Sequence, residues 1–152
     1  MIQKQMQNTK QKWDITELSI ILDMKKNWIS VLKPIWDNDR YDIVIEKDWK
    51  FLRIQCKTAS VKNWNTIFIH NYSINRNNKK HIKKKYTKEE IDFLWTFYNW
   101  TTYLISINEL WNKNGMLLRF KPTLNNQNKC INYLDDYKLE KQLKKIWWLI
   151  EN

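Results

Sequence analysis

RYDIVIEKDWKFLRIQCKTAS, residues 40–60, holds two apolar runs on either side of a short polar corner. YDIVIE reads as a strand with Ile43 and Ile45 on one face. KFLRIQCKTAS alternates cleanly: Leu52, Ile54 and Cys56 point one way, while Phe51, Arg53, Gln55 and Lys57 point the other. With residues 46–50 as the turn, the start of the first strand lies opposite the end of the second. Asp42, Gln55 and Lys57 then converge at one edge of a sheet.

Upstream, WDITELSIILDMKKN has Ile15, Leu18, Ile21 and Leu22 at helical spacing, with Asp14 near its start. Glu17 lies beside that apolar stripe, so a helix packed over the sheet can bring it to the same cluster. Such a set suits phosphodiester hydrolysis. A divalent cation with hard oxygen ligands polarises a phosphoryl oxygen and lowers the pKa of a bound water. In this reading Asp42 is the principal ligand, joined by the Gln55 amide oxygen, the backbone carbonyl of Cys56 and Glu17, the last directly or through water. Lys57 orients the attacking water and counters the charge developing at phosphorus. The expected cofactor is Mg2+ or another divalent cation. The bland alternative is that an Asp opening a strand and a Lys closing one are ordinary surface residues.

Around this hairpin the sequence predicts a mixed α/β sheet. ISVLKPI reads as a short strand stopped by Pro34, and NTIFIHNY as a third strand that completes a meander with the hairpin. TKEEIDFLWTFY opens on Thr87, Glu89 and Glu90 and predicts a short helix with Ile91, Leu94 and Phe97 or Tyr98 inward. TYLISI and GMLLRF are buried-type strands, and YLDDYKLEKQLKKIWWLI closes the chain as a helix. Residues 1–10 are polar and expected to be flexible, leaving 11–152 as a single domain.

Composition narrows the function classes. Twenty-seven Lys and Arg against sixteen Asp and Glu give a formal net charge of +11, which favours a polyanionic partner. No run is long enough to cross a bilayer, no basic amphipathic helix with a bulky apolar face stands out, and the N-terminus lacks a secretory apolar segment. Double-stranded DNA in the cytoplasm is therefore the expected partner, and a membrane is not. Two cysteines, Cys56 and Cys130, and two histidines, His70 and His81, form no disulfide framework or zinc motif. The segment carrying Arg76, Lys79, Lys80, Lys83, Lys84 and Lys85 is either a solvated loop or a phosphate-contacting arm. Lys62, Arg119 and Lys121 are further candidate contacts. Arg40 and Arg53 lie near enough to the cluster to touch the scissile backbone, and ion pairing within the chain accounts for them equally well.

The inventory of one glycine and ten tryptophans is abnormal. KDW at 47–49, KNWN at 62–65 and YNWTTY at 98–103 put tryptophan where a tight turn wants glycine, whose missing Cβ tolerates positive φ. One reading is that glycine is native at Trp13, Trp28, Trp36, Trp49, Trp64, Trp95, Trp100 and Trp111, through UGA codons read with the wrong genetic code. The other is aromatic enrichment for base stacking.

RYD(IVIEKDWKFLRI)QCK resembles the PD-(D/E)XK nuclease signature in its Q-x-K form. With Glu17 in the first helix, the order of elements also resembles that superfamily. DNDRYD, RIQCKTA, YTKEEIDF, TYLISI and LRFKPTLNNQNKCINYLDDY strengthen a resemblance to its small bacterial, group I intron-encoded homing endonucleases over most of the chain. The resemblance implies a restriction-endonuclease-like αβββαβ core, a mixed central sheet flanked by helices. It implies an active site of Glu17, Asp42, Gln55 and Lys57, and site-specific double-strand cleavage. Cutting both strands needs two active sites, hence a homo-oligomer, a dimer or a tetramer. Two departures stand out: Gln55 replaces the commoner acidic residue, and Asp42 follows Arg-Tyr, not Pro. The alternatives are a structure-selective nuclease such as a Holliday-junction resolvase, and a catalytically silent DNA-binding module.

Overall fold

In the computed structural model, which describes residues 9–36, 39–77, 80–110, 112–123 and 129–151, the chain opens with α1 (Thr9–Lys26) and β1 (Ser30–Leu32). The expected hairpin follows as β2 (Ile43–Lys47) and β3 (Lys50–Cys56), antiparallel from Ile43↔Ile54 to Lys47↔Lys50. After it come β4 (Ser60–Asn63), β5 (Thr66–His70), β6 (Tyr72–Asn77) and β7 (Lys80–Lys85). Next are β8 (Phe93–Tyr98) and β9 (Thr101–Ser106), a 3-10 turn at Ile107–Leu110, then β10 (Gly115–Arg119) and β11 (Asn132–Tyr133). A second 3-10 turn, Leu134–Tyr137, leads into α2 (Leu139–Glu151).

The main sheet has the order β1-β2-β3-β8-β9, with β3 and β8 parallel and the other pairs antiparallel. It is therefore mixed, as expected. A second sheet, β11-β10-β5-β4, packs on one of its faces, and β6 and β7 form a separate two-stranded ribbon. Alternation along β8 and β9 shows the layering. Leu94, Tyr103 and Ile105 join Ile67, Ile69, Met116 and Leu118 of the second sheet in one core cluster. Trp95 and Leu104 point the other way, into a cluster with Ile20 and Met24 of α1 and Leu139, Leu143 and Ile146 of α2. Strands buried on both faces read as continuous apolar runs, which is why TYLISI shows no polar side.

Four expectations about single elements are corrected. The helix expected over TKEEIDFLWTFY is a turn, with the Glu90 and Ile91 N–H groups donating to the Thr87 carbonyl, followed by strand β8. Phe93–Tyr98 is rich in aromatic residues that suit a pleated surface, and pairing with β3 and β9 outweighs the helix-start signal. The strand NTIFIHNY does not complete a meander with the hairpin, because β5 belongs to the second sheet and β8 takes the place beside β3. The basic segment after residue 75 is the ribbon β6–β7, not a loop. Of the stripe read on α1, only Ile21 packs against the core, half-buried. Leu18 is 65% exposed, and Ile15 and Leu22 are exposed too, while Thr16, Ile20 and Met24, spaced four apart, face the sheet. Apolar residues lie on more than one side of this helix, so periodicity alone selects the wrong stripe.

The turns report on the tryptophans. Three of the described tryptophans have positive φ: Trp28 (58°), Trp49 (65°) and Trp100 (61°). Asp48–Trp49 and Asn99–Trp100 are two-residue hairpin loops closed by Lys47↔Lys50 and Tyr98↔Thr101, with both central φ values positive, the geometry that favours Asp-Gly and Asn-Gly. Trp28 follows the end of α1: its N–H donates to the Lys25 carbonyl and that of Ile29 to Met24, the paired bonds of a helix stop that takes glycine. Trp95 is different, fully buried in β8. Trp13 lies in α1, Trp36 and Trp64 are exposed, and Trp111 lies outside the described residues. Gly115 is a separate case: it opens β10 at φ 156°, where a Cβ would collide with the Ile69 carbonyl oxygen.

Candidate active site

Two backbone ladders place the cluster before any side chain acts. The Asp42 N–H donates to the Ile54 carbonyl at 2.9 Å, carrying the β2–β3 ladder one residue past the strand. The Lys57 N–H donates to the Trp95 carbonyl at 2.7 Å, which prolongs the parallel pairing of β3 with β8. Residues 55–57 thus lie at the centre of the sheet, and Gln55 and Lys57 are buried although both are polar.

Their side chains meet. Asp42 Oδ2 accepts hydrogen bonds from Gln55 Nε2 at 2.5 Å and from the Cys56 N–H at 2.7 Å. Gln55 Nε2 also donates to the Cys56 carbonyl at 3.2 Å. Lys57 Nζ donates to the Tyr86 hydroxyl at 2.8 Å and stands 5.8 Å from the centre of the Trp13 ring. From α1, Glu17 is ion-paired with Lys33. Glu17 and Asp42 line one cleft of about 590 Å³, whose walls include Trp13, Lys33 and Tyr41. They also share a concavity of about 10 Å³ with Trp13, Thr16, Cys56 and Thr58. That volume is about one water-sized sphere.

Burial dominates the electrostatics. It pushes the Asp42 carboxyl above its ordinary range, against the Cys56 N–H, Lys57 and Gln55, which pull it down. It pulls Lys57 down to about 8, opposed chiefly by the charge of Asp42. The Cys56 thiol is pushed well up by burial and stays protonated, so it offers no thiolate to a soft metal.

These groups fit a hard divalent cation. Among the described residues no cluster of three or more His, Cys, Asp or Glu side chains forms. The oxygen donors within reach are two carboxylates and the Cys56 carbonyl, beside a concavity of ion size, while the Gln55 amide turns Nε2 toward Asp42 and that carbonyl and would offer its oxygen to a cation by exchanging its two ends. A half-buried carboxylate held above its usual pKa gains most from an adjacent cation.

Glu17, Asp42, Gln55, Cys56 and Lys57 are therefore gathered at one place. The flanking arginines are committed elsewhere. Arg53 grips Asp92, with Nη2 3.1 Å from Oδ1 and Nε 3.2 Å from Oδ2, as well as the carbonyls of Lys88 and Glu89. Arg40 binds Glu90, the Ser73 hydroxyl and the carbonyls of Lys84 and Lys85. Both brace the fold. On the ribbon, Lys83 lies over the Tyr72 ring, Lys84 pairs with Glu90 and Lys85 reaches the Asn112 carbonyl. Arg76 and Lys80 lie on its strands with side chains outside the described residues, as is Lys79 altogether. Lys62 is exposed on β4, Arg119 ends β10 half-buried, and Lys121 is exposed beyond it. Sequence reasoning missed Lys33 and Tyr86 as neighbours of the cluster. Tyr86 stands 29 residues from Lys57, and no local pattern joins them.

The cluster lies on a mixed sheet, at the open end of a hairpin. The chain belongs to the PD-(D/E)XK endonuclease family, whose pattern matches residues 7–140. Its structure is similar to that of a bacterial homing endonuclease, I-Ssp6803I, with a TM-score of 0.71 over 95% of this chain and 93% of that one, at 23% identity. No curated protein sequence matches it. The chain is thus an endonuclease of a family whose members generally use divalent metal ions.

Proposed function

We propose that the chain is a divalent-cation-dependent DNA endonuclease of the homing type, acting in the cytoplasm and making double-strand breaks as a homo-oligomer. The observation that carries this reading is the convergence of Asp42, Gln55, the Cys56 carbonyl and Lys57, with Glu17 across the same concavity. Asp42, Glu17, Gln55 and the Cys56 carbonyl would hold the cation, Mg2+ by preference for hard oxygens. When bound, it would supply Lewis acidity toward a phosphoryl oxygen and lower the pKa of a water.

The chain's own residues do the rest. The Cys56 N–H fixes the Asp42 carboxylate, so the carboxylate needs no reorganisation on binding. Lys57 holds the attacking water and offsets charge at phosphorus. With its pKa pulled to about 8, it can also exchange a proton near neutral pH. The ribbon β6–β7 carries the basic residues on a two-stranded element of the width a major groove admits. Net charge +11 favours the same partner through phosphate contacts. The exposed stripe Ile15, Leu18 and Leu22 on α1 is an apolar face that a second copy would cover, which suits an enzyme that must bring two sites to one duplex.

The test is Lys57→Ala with a plasmid that the wild-type chain linearises, selected from a random-insert library. Cleavage should fall at least about 100-fold while retention of the same DNA in Ca2+ stays within about twofold. Cleavage at the wild-type rate would end the reading.

A further inference from the structure

Lys57 is not held by the carboxylate of Asp42 but by a phenol. Tyr86 follows directly on β7 and is buried, with its hydroxyl 2.8 Å from Lys57 Nζ. The same ammonium lies 4.7 Å from the centre of the Tyr86 ring. The Arg40 guanidinium also lies over the ring, 4.1 Å from the centroid. Ser73 stands beside the phenol, and its hydroxyl accepts from Arg40 Nη1 at 2.6 Å. Arg40 in turn is locked by Glu90, which also pairs with Lys84 at 2.7 Å.

A lysine ammonium on a four-carbon stem has many rotamers, and fixing it costs side-chain entropy. Something must hold it for it to meet a phosphate at a set place. We propose that Tyr86 is a positioning residue of the endonuclease: its hydroxyl fixes the Lys57 ammonium for the chemical step, and the Arg40–Ser73–Glu90 frame fixes Tyr86. Burial pushes the Tyr86 hydroxyl up to about 12, so it remains a neutral phenol at working pH, a hydrogen-bond partner and not a base. Because Ser73 belongs to β6, and Lys84 and the carbonyl of Lys85 to β7, the same frame joins the basic ribbon to the catalytic lysine. Reading the ribbon and holding Lys57 thus share one set of bonds.

The proposal rests on Lys57 serving the cleavage reaction, and the experiment separates the two. Tyr86→Phe removes one oxygen and keeps the ring. Single-turnover cleavage of the selected plasmid at saturating protein is measured per folded molecule, counted by circular dichroism, beside DNA retention in Ca2+ and the melting temperature. The chemical rate should fall about 10- to 100-fold, the loss that a misplacement of about 1 Å brings, with retention and melting unchanged. A wild-type rate at saturation overturns the proposal. So does a loss that appears only as weaker DNA binding. If Lys57→Ala cuts normally, the reading of the site itself fails. If Lys57→Ala is inactive while Tyr86→Phe cuts normally, only the role of Tyr86 is lost.

Discussion

The two ends of the β2–β3 hairpin follow different rules. At the open end, Gln55 and Lys57 are buried and Asp42 half-buried, Asp42 and Gln55 are hydrogen-bonded, and burial displaces the pKa values of both Asp42 and Lys57. At the closed end, Asp48 and Trp49 stand in solvent with positive φ, and Trp49 is 89% exposed. The open end spends stability on chemistry, since an amide and an ammonium are kept from water where apolar side chains would pack at lower cost. The closed end carries backbone strain with no partner that uses it. Strain beside a reactive cluster has a function to explain it; strain at a solvent-exposed corner points to the wrong residue type.

The largest effect should come from the open end. Asp42→Asn keeps the shape but removes the charge at the centre of the cluster, so plasmid cleavage should fall by about 1,000-fold or more at every Mg2+ concentration. Turnover that recovers at high Mg2+ would reduce Asp42 to a structural acceptor. At the closed end, Trp49→Gly should raise stability by about 1 kcal/mol. A bulky residue in the left-handed region costs about 1–2 kcal/mol, and the extra entropy of an unfolded glycine takes back about 0.5–1 kcal/mol. Urea unfolding reads this directly, and a lower midpoint would sink the idea that glycine is native there. Trp100→Gly should behave alike, and UGG codons at Trp28, Trp49 and Trp100 would remove the recoding argument.

The smallest effect is a pH dependence of stability without divalent cations. The folded-state pKa of Lys57 is about 8 against an ordinary 10.5, so between these values the unfolded chain binds more protons and stability rises with pH. Tyr86 acts in the opposite sense. Its folded-state pKa of about 12 lies above the ordinary 10.0, so its contribution is present below pH 10 and is lost as pH climbs toward 12. The Cys56 thiol, pushed well above its ordinary 9.0, also opposes the rise once pH passes 9, so unfolding midpoints should climb from pH 8 to about 9 and then stop climbing, and Lys57→Met should flatten the climb. A steady decline from pH 8 upward would contradict the burial of that ammonium.

Much of the site could be read from residues 40–60 because its geometry is local. A strand repeats every two residues, and a tight turn of fixed length sets the register, so Asp42 had to fall beside Ile54 and its neighbours. The buried face of α1 could not be read this way. Ile15, Leu18 and Leu22 satisfy helical spacing as well as Ile20 and Met24 do, and only the sheet beneath selects between them. Arg40 and Arg53 are similar: near the site in sequence, yet bound to Glu90 and Asp92, which arrive from a distant turn.

The chain by itself determined the hairpin, the convergence of Asp42, Gln55 and Lys57, and the wish for glycine at its corners, since all three follow from backbone sterics over a few residues. Tertiary structure decided that residues 93–98 become a strand, which face of α1 is covered, and that Tyr86 reaches Lys57. Each of these depends on a partner far away in sequence, and a pairing between distant segments is settled by the free energy of the whole core, not by the preferences of either segment.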